Sequence, residues 1–411
     1  MNHTPLPVTV LSGFIGAGKT TLLDALLASS NPMRIGAIAL DTADDTIGLP
    51  NGAVRTVLGD HSIEAIEAAI VTLAESGRFD AIVVESRPAL DPMEIAEQLA
   101  FGNDDAATLA GHAHLDTFVT VIDASAFLRD YASSDALADR GIGQTDDDKT
   151  VVETLVEQIE FCNVIIINKI DLVGADDADK IARILQALNP RARTVRAEFG
   201  KIAPEEVLDT GRFDFDNTAS APGWLSILNG ETSSDQTSDA SDVGHVVYRA
   251  RWPFHPERLW NLLHEEWPGV LRGKGFFWLA TRSEVGGSLS QAGGTCRHGP
   301  AGVWWAAQDR SEWPTDDPKL EAEIVEQWHG DPDDNRIGDR RQELALIGLG
   351  LDAIAWQVRF DACLLDDDEW ALGPDGWLRL PDPFPAWEIE EHDHDHDDDH
   401  DPDCGCDDHQ R

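Results

Sequence analysis

Apolar residues in the first half of the chain fall in short unbroken runs rich in Val and Ile: Val8–Leu11, Ile35–Leu40, Ala81–Glu85, Phe118–Ile122 and Val164–Ile167. Runs without polar alternation predict strands buried on both faces. Between them apolar positions return at helical spacing, as in Ile63–Ser76 and Thr150–Ile159. Strand and helix in alternation predict a parallel α/β domain over residues 1–228. Residues 229–244 are polar and of low complexity, and predict a flexible linker. From 245 to 387 the pattern changes. Strands are expected at Val246–Ala250, Gly275–Thr281, Ser288–Arg297, Gly302–Ala307 and Glu343–Gly348, and helices at Pro256–Glu266 and Ala353–Leu365. This predicts an α+β unit, a mostly antiparallel sheet with two helices on one face. Residues 308–338 read as an exposed acidic loop. Residues 388–411 lack apolar periodicity and are expected to be disordered.

The first two runs bracket a phosphate-binding pattern. Gly13-Phe14-Ile15-Gly16-Ala17-Gly18-Lys19-Thr20 fits G-x-x-x-x-G-K-[ST], on a turn from strand to helix. There the backbone N–H groups of Gly13, Gly16, Ala17, Gly18, Lys19, Thr20 and Thr21 can converge on phosphate oxygens, helped by the helix dipole. Lys19 is expected to reach the β- and γ-phosphates, and the Thr20 hydroxyl to ligate Mg²⁺. Asn168-Lys169-Ile170-Asp171 ends the strand Val164–Ile167. The Asp171 carboxylate can accept from both the ring N–H and the exocyclic amine of guanine, whereas adenine offers the opposite donor pattern. Asn168 would hold the loop and the Lys169 stem would lie over the base. GTP is therefore expected in preference to ATP. Glu85 ends the strand before the switch region, where a carboxylate can approach Mg²⁺ or its water shell. Asp41 and Asp44 follow the strand Ile35–Leu40 and are further candidates, although a solvated acidic loop explains them equally well. Asp123 reads as a structural cap or a distant phosphate-site residue.

Composition narrows the setting. The chain has 411 residues and a net charge of −45. Phosphate would be repelled over most of the surface, which argues against direct nucleic-acid binding. Seven of the 31 basic residues are lysines, and the acids are spread throughout. Such a surface suits multimolar salt, where screening relieves self-repulsion. We therefore expect the protein to unfold in dilute buffer; full stability there, read by circular dichroism, would contradict a halophilic origin. The opening residues carry no signal-like pattern and no apolar run matches a bilayer, so a cytoplasmic, non-membrane protein is expected. Cys162, Cys296 and Cys363 stand singly in apolar surroundings and read as core thiols. The tryptophans of the second unit read chiefly as core.

Four segments together resemble the CobW-type P-loop GTPases, a family of metallochaperones and metal-enzyme maturation factors. They are residues 13–20, Glu85-Ser86-Arg87-Pro88-Ala89-Leu90-Asp91-Pro92, Thr120-Val121-Ile122-Asp123-Ala124 and Asn168-Lys169-Ile170-Asp171-Leu172. The second unit is similar to the CobW C-terminal domain through residues 248–259, 274–280, 291–294 and 338–344. The resemblance implies a P-loop NTPase parallel-sheet domain followed by a smaller α+β CobW C-terminal domain. It implies a GTPase that uses Lys19, Thr20 and Glu85, handles a transition metal, and acts on a metalloprotein or other protein client. It places Asp41 and Asp44 among acids that bind Mg²⁺ or transition metal. Two departures stand out. The family's Cys-x-Cys-Cys motif after Asn-Gly is missing, since Asn51-Gly52 is followed by Ala53-Val54-Arg55-Thr56. Pro88 replaces the glycine of the switch segment E-x-x-G and has no N–H for the γ-phosphate, so hydrolysis that is slow or differently switched is expected.

The tail supplies other metal ligands. His392, His394, His396, His400, Cys404, Cys406 and His409 place five imidazoles and two thiols within 388–411. These suit Zn²⁺, Co²⁺ or Ni²⁺, with zinc the expected cargo. The sequence thus predicts a GTP-hydrolysing protein that couples nucleotide state to metal delivery. The alternatives are a nucleotide-gated adaptor with little hydrolysis, which recruits a client under metal limitation, and a passive metal store using only the tail.

Overall fold

Seven parallel strands make the first sheet. They are β1 (Leu6–Ser12), β2 (Ile35–Ala39), β3 (Val54–Val57), β4 (Ala81–Glu85), β5 (Ala113–Asp123), β6 (Val164–Asn168) and β7 (Arg193–Arg196), in the spatial order β3-β2-β4-β1-β5-β6-β7. This computed structural model describes residues 5–29, 32–39, 52–59, 62–88, 90–101, 109, 111–142, 149–230, 243–314, 317–331 and 335–387. The helices of this part are α1 (Lys19–Ala28), α2 (Ile63–Glu75), α3 (Pro92–Phe101), α4 (Ala124–Tyr131), α5 (Val151–Glu160), α6 (Ala175–Leu188), α7 (Phe215–Ala219) and α8 (Gly223–Leu228). Strands β2, β4 and β6 are buried at every position, as their unbroken apolar sequences require. The edge strands β3 and β7, read Val-Arg-Thr-Val and Arg-Thr-Val-Arg, are partly exposed and were not expected. The all-parallel arrangement puts the carboxyl ends of β1, β4, β5 and β6 side by side.

The second sheet has five antiparallel strands in the order β11-β10-β9-β12-β8. They are β8 (Val243–Ala250), β9 (Val270–Phe277), β10 (Val285–Ala292), β11 (Thr295–Val303) and β12 (Gln342–Leu349). Five helices accompany them among the described residues: α9 (Pro256–Leu263), α10 (Pro318–Gln327), α11 (Ala353–Asp361) and the short α12 (Asp367–Ala371) and α13 (Gly373–Trp377). Val243 and Gly244, assigned above to the linker, already pair with Leu349 and Gly348; residues 231–242 lie outside the described part.

Several expectations change here for identifiable reasons. The run Ser288–Arg297 is not one strand but a hairpin turning at Gly293-Gly294, a pair suited to a two-residue loop. The strand expected at Gly275–Thr281 starts earlier, at Val270. Gly275 interrupts no pairing: a Cβ there would lie 2.1 Å from the Glu343 carbonyl oxygen, so the close neighbour β12 demands glycine. The strand expected at Gly302–Ala307 ends at Val303. Trp305–Ala307 forms a 3₁₀ turn instead, held by the Asp339 carboxylate, which accepts from the N–H groups of Trp305 and Ala306 at 3.1 and 2.9 Å. The acidic segment 308–338 carries α10, started by Asp317, whose side chain accepts from Lys319 N–H and Leu320 N–H, with Pro318 at the first turn. The sheet is covered on both faces. On one, Leu259, Leu262 and Leu263 of α9 and Trp356 and Phe360 of α11 build its core. On the other, Ile227 of α8 packs against Ala345 and Ile347. Trp278, Trp356 and Trp377 are fully buried, and Cys162 and Cys363 are core thiols, burial pushing each thiol up to about 12.

Candidate nucleotide-binding site

The site assembles where β1, β4, β5 and β6 end. Gly13, Gly16 and Gly18 take φ of 138°, 73° and 101°, conformations that disfavour side chains. Two of them also have no room. A Cβ at Gly13 would lie 2.4 Å from the Val121 carbonyl oxygen, and one at Gly18 2.4 Å from Asn168 Nδ2. Gly18 caps α1, so the free N–H groups of its first turn face the loop. Ile15 and Gly16 form the exposed crest; Ala17 and Lys19 are buried. Lys19 Nζ donates to the carbonyl oxygens of Gly13, at 2.6 Å, and Phe14, at 3.3 Å. Its ammonium is thus held against the arch of its own loop.

Thr20, on the first turn of α1, donates through Oγ1 to Glu85 Oε1 at 2.6 Å. The two residues are 65 positions apart, and the contact exists because β1 and β4 are neighbours, with Leu11 paired to Glu85. Glu85 is 8% exposed, and its Oε2 has no hydrogen-bond partner among the described residues. A buried carboxylate oxygen without a donor is costly unless a cation or water completes it. A hydroxyl and such an oxygen at a helix N-terminus are hard donors of the kind Mg²⁺ prefers. Asp41 and Asp44 lie outside the described residues, as do Asn51 and the tail ligands His392, His394, His396, His400, Cys404, Cys406 and His409. Among the described residues no group of three or more His, Cys, Asp or Glu side chains is placed to hold a metal ion.

The second motif is bolted to the first. Asn168, 2% exposed, donates through Nδ2 to the Ala17 carbonyl oxygen at 3.0 Å, while its Oδ1 accepts from Gly200 N–H at 3.0 Å. Lys169 has φ 60°, unusual for a residue with a side chain. Its Nζ donates at 2.7 Å both to the Gly16 carbonyl oxygen and to Asp123 Oδ2. Asp171 lies exposed in the 3₁₀ turn Ile170–Leu172 that follows. Asp123 caps α4, accepting from Ser125 N–H at 2.9 Å. Burial raises its pKa, but hydrogen bonds from Lys169 and Ser125 outweigh this and hold the carboxyl below its usual range. Asp123 is therefore both the cap foreseen and the clamp on Lys169, which no local pattern announced. Gly200 is a further component missed in the sequence. Its φ is 67°, and a Cβ would lie 2.8 Å from the Leu22 backbone, so the loop after β7 docks onto α1 only with glycine. Larger clefts lie elsewhere: one of about 400 Å³ between α5 and the second sheet, and one of about 420 Å³ beside Asn163 and Arg191.

Comparison with known proteins identifies two domains. A family profile described as "CobW/HypB/UreG, nucleotide-binding domain" matches residues 7–196, and one described as "Cobalamin synthesis protein cobW C-terminal domain" matches residues 243–364. A Dictyostelium discoideum protein named zinc-regulated GTPase metalloprotein activator 1 is 35% identical over 415 residues, covering 94% of this chain and 86% of that one. A Mycobacterium tuberculosis protein named as a zinc chaperone is 27% identical, covering 85% and 81%. Among solved structures, Zn(II)-bound YjiA GTPase from E. coli is similar at 20% identity, with a TM-score of 0.40 over 88% of this chain and all of that one. Two domain profiles in order, with a relative matched over nearly the whole length, place the chain in the CobW family, with a CobW/HypB/UreG nucleotide-binding domain followed by a CobW C-terminal domain.

Proposed function

We propose that the protein binds Mg·GTP, hydrolyses it slowly, and couples the nucleotide state to the handling of a transition metal, zinc first. The observation that carries this reading is the bond between the two nucleotide motifs. Asn168 of the base-binding segment is hydrogen-bonded to Ala17 of the phosphate loop, so the Asp171 turn and the Lys19 arch are held in one fixed relation. A single nucleotide spanning both is what that spacing serves. In this reading Lys19 exchanges its carbonyl partners for phosphate oxygens, and the N–H groups of residues 13–21 cradle the phosphates. Thr20 and Glu85 would hold Mg²⁺ or its water shell; bound there, the ion would neutralise charge on the β- and γ-phosphates. Asp171 would read guanine, with the Lys169 stem against the base. Catalysis is then mostly positioning and charge neutralisation. Zinc is favoured as cargo because the relatives' names refer to it and because the tail from His392 to His409 offers imidazole and thiolate ligands. Asp41 and Asp44 are proposed as additional acids near the metal.

GTP turnover of the full chain and of a chain lacking residues 388–411, each with and without Zn²⁺, tests the reading. The full chain should bind Zn²⁺ stoichiometrically and turn over faster with it. The shortened chain should lose that binding and the stimulation while retaining GTP. Unchanged zinc binding after the deletion would remove the tail from the account, and turnover indifferent to zinc in both chains would remove delivery.

A further inference from the structure

Helix α5 touches the switch segment with one side and the second sheet with the other. Three residues beyond Glu85, the Pro88 carbonyl oxygen accepts from Gln158 Nε2 at 2.7 Å. Gln158 is fully buried, and its own carbonyl oxygen accepts from Thr120 Oγ1 at 2.5 Å, which fixes this turn of α5 on β5. The side-chain Oε1 of Gln158 has no partner among the described residues, so the amide is committed to the switch through its donor end. Pro88 offers only a carbonyl, having no N–H.

Two residues further on, Glu160 faces the opposite way, since successive helical residues are about 100° apart. It accepts from Arg272 of β9 in a forked ion pair, Nε to Oε1 at 2.8 Å and Nη2 to Oε2 at 3.1 Å. Both side chains are nearly sealed from water, at 7% and 3% exposure. Arg272 Nη1 also donates to Ser290 Oγ at 2.9 Å and to the Gln291 carbonyl oxygen at 3.2 Å, tying the pair into β10. One turn pair earlier on the same face, Glu153 is paired with Arg297 of β11. The approach is close along the whole seam: Tyr131 Oη donates to the Leu271 carbonyl oxygen at 2.6 Å, and a Cβ on Gly293 would lie 2.0 Å from the Tyr131 carbonyl oxygen.

We propose that α5 is the lever connecting the phosphate site to the second sheet. Gln158 is the positioning residue that senses the Pro88 carbonyl, and Glu160 and Glu153 carry its displacement to β9–β11 through Arg272 and Arg297. The inference rests on the GTP-switch reading above. When the segment from Glu85 to Pro88 shifts with the nucleotide, α5 has to follow or lose a buried hydrogen bond. Because the ion pair at its end is buried, β9 and β10 follow too.

Amide hydrogen exchange on the full-length protein, with Mg²⁺ and either GMPPNP or GDP, reads this directly in peptides from residues 270–303. Protection there should differ between the two nucleotides by about fivefold or more, the lower end of ordinary coupling. In Gln158→Met, which keeps volume but loses the donor, both nucleotides should still bind and the difference should collapse. In Arg272→Lys, which keeps charge but loses the fork, it should shrink. Equal exchange with both nucleotides bound to the wild type would overturn the lever without any variant. A full difference in Gln158→Met would do the same. Failure of the wild type to bind GMPPNP at all would instead bring down the nucleotide reading, and is separately visible by titration with mant-labelled GMPPNP.

Discussion

Lys19→Ala should leave a folded protein that no longer holds GTP. Lys19 opens α1, where alanine is the better helix former, so the helix itself loses nothing. Its ammonium now donates to the carbonyl oxygens of Gly13 and Phe14 within the loop. With nucleotide bound, the same ammonium would make two charge-assisted hydrogen bonds to phosphate. At about 1.5–3 kcal/mol each, their loss weakens binding by roughly two to four decades. Titration with mant-labelled GTP checks the affinity, and the unfolding curve checks the fold. Wild-type affinity in Lys19→Ala would mean that the phosphates sit elsewhere.

The second large effect concerns stability. Glu160→Ala should destabilise the junction between the sheets by about 3–5 kcal/mol, the usual cost of leaving one partner of a buried pair alone. Arg272 has only 3% exposure and cannot turn to water. Burial opposes its charge, but Glu160 more than offsets this and holds the guanidinium pKa above its ordinary value. Without the carboxylate the burial cost remains and the compensation is gone. Replacing both, as Glu160→Met with Arg272→Met, should recover most of the loss, because the charge is then absent as well. Denaturant unfolding followed by tryptophan fluorescence suits the test, since 12 of the 13 tryptophans belong to residues 243–387. A change under about 1 kcal/mol in the single variant, in the range of a surface pair, would show that water reaches the junction.

What could be read in the chain beforehand depended on how far apart the cooperating residues are. The phosphate loop was legible because one turn carries all its chemistry: glycines with positive φ, a lysine and a threonine in eight consecutive positions. The parallel sheet was legible because strands buried on both faces cannot hide polar residues. Edge strands can, and so β3 and β7, with arginine and threonine among four residues each, escaped notice. The hairpin at Gly293-Gly294 lies within a longer run of strand-like residues, which masks its turn signal. In α10, Asp317-Pro318 was a start signal masked by the acidity around it. The contacts that define the site's depth were of another kind. Thr20 meets Glu85, Lys169 meets Asp123, and Gly200 meets Asn168 only because separate strands end together. The pair of Glu160 and Arg272, separated by 112 positions, has no local signature at all. Each member alone reads as an ordinary charged residue in a chain with 76 acids.

The central claim is that the turn between β1 and α1 encloses the triphosphate of a guanine nucleotide. Isothermal calorimetry of the full chain, in concentrated salt with Mg²⁺, tests it most directly. Saturable heat with one GTP per chain, and markedly weaker heat with ATP, is the result expected. No heat from GTP on protein that circular dichroism shows to be folded, or equal affinity for ATP, would contradict it.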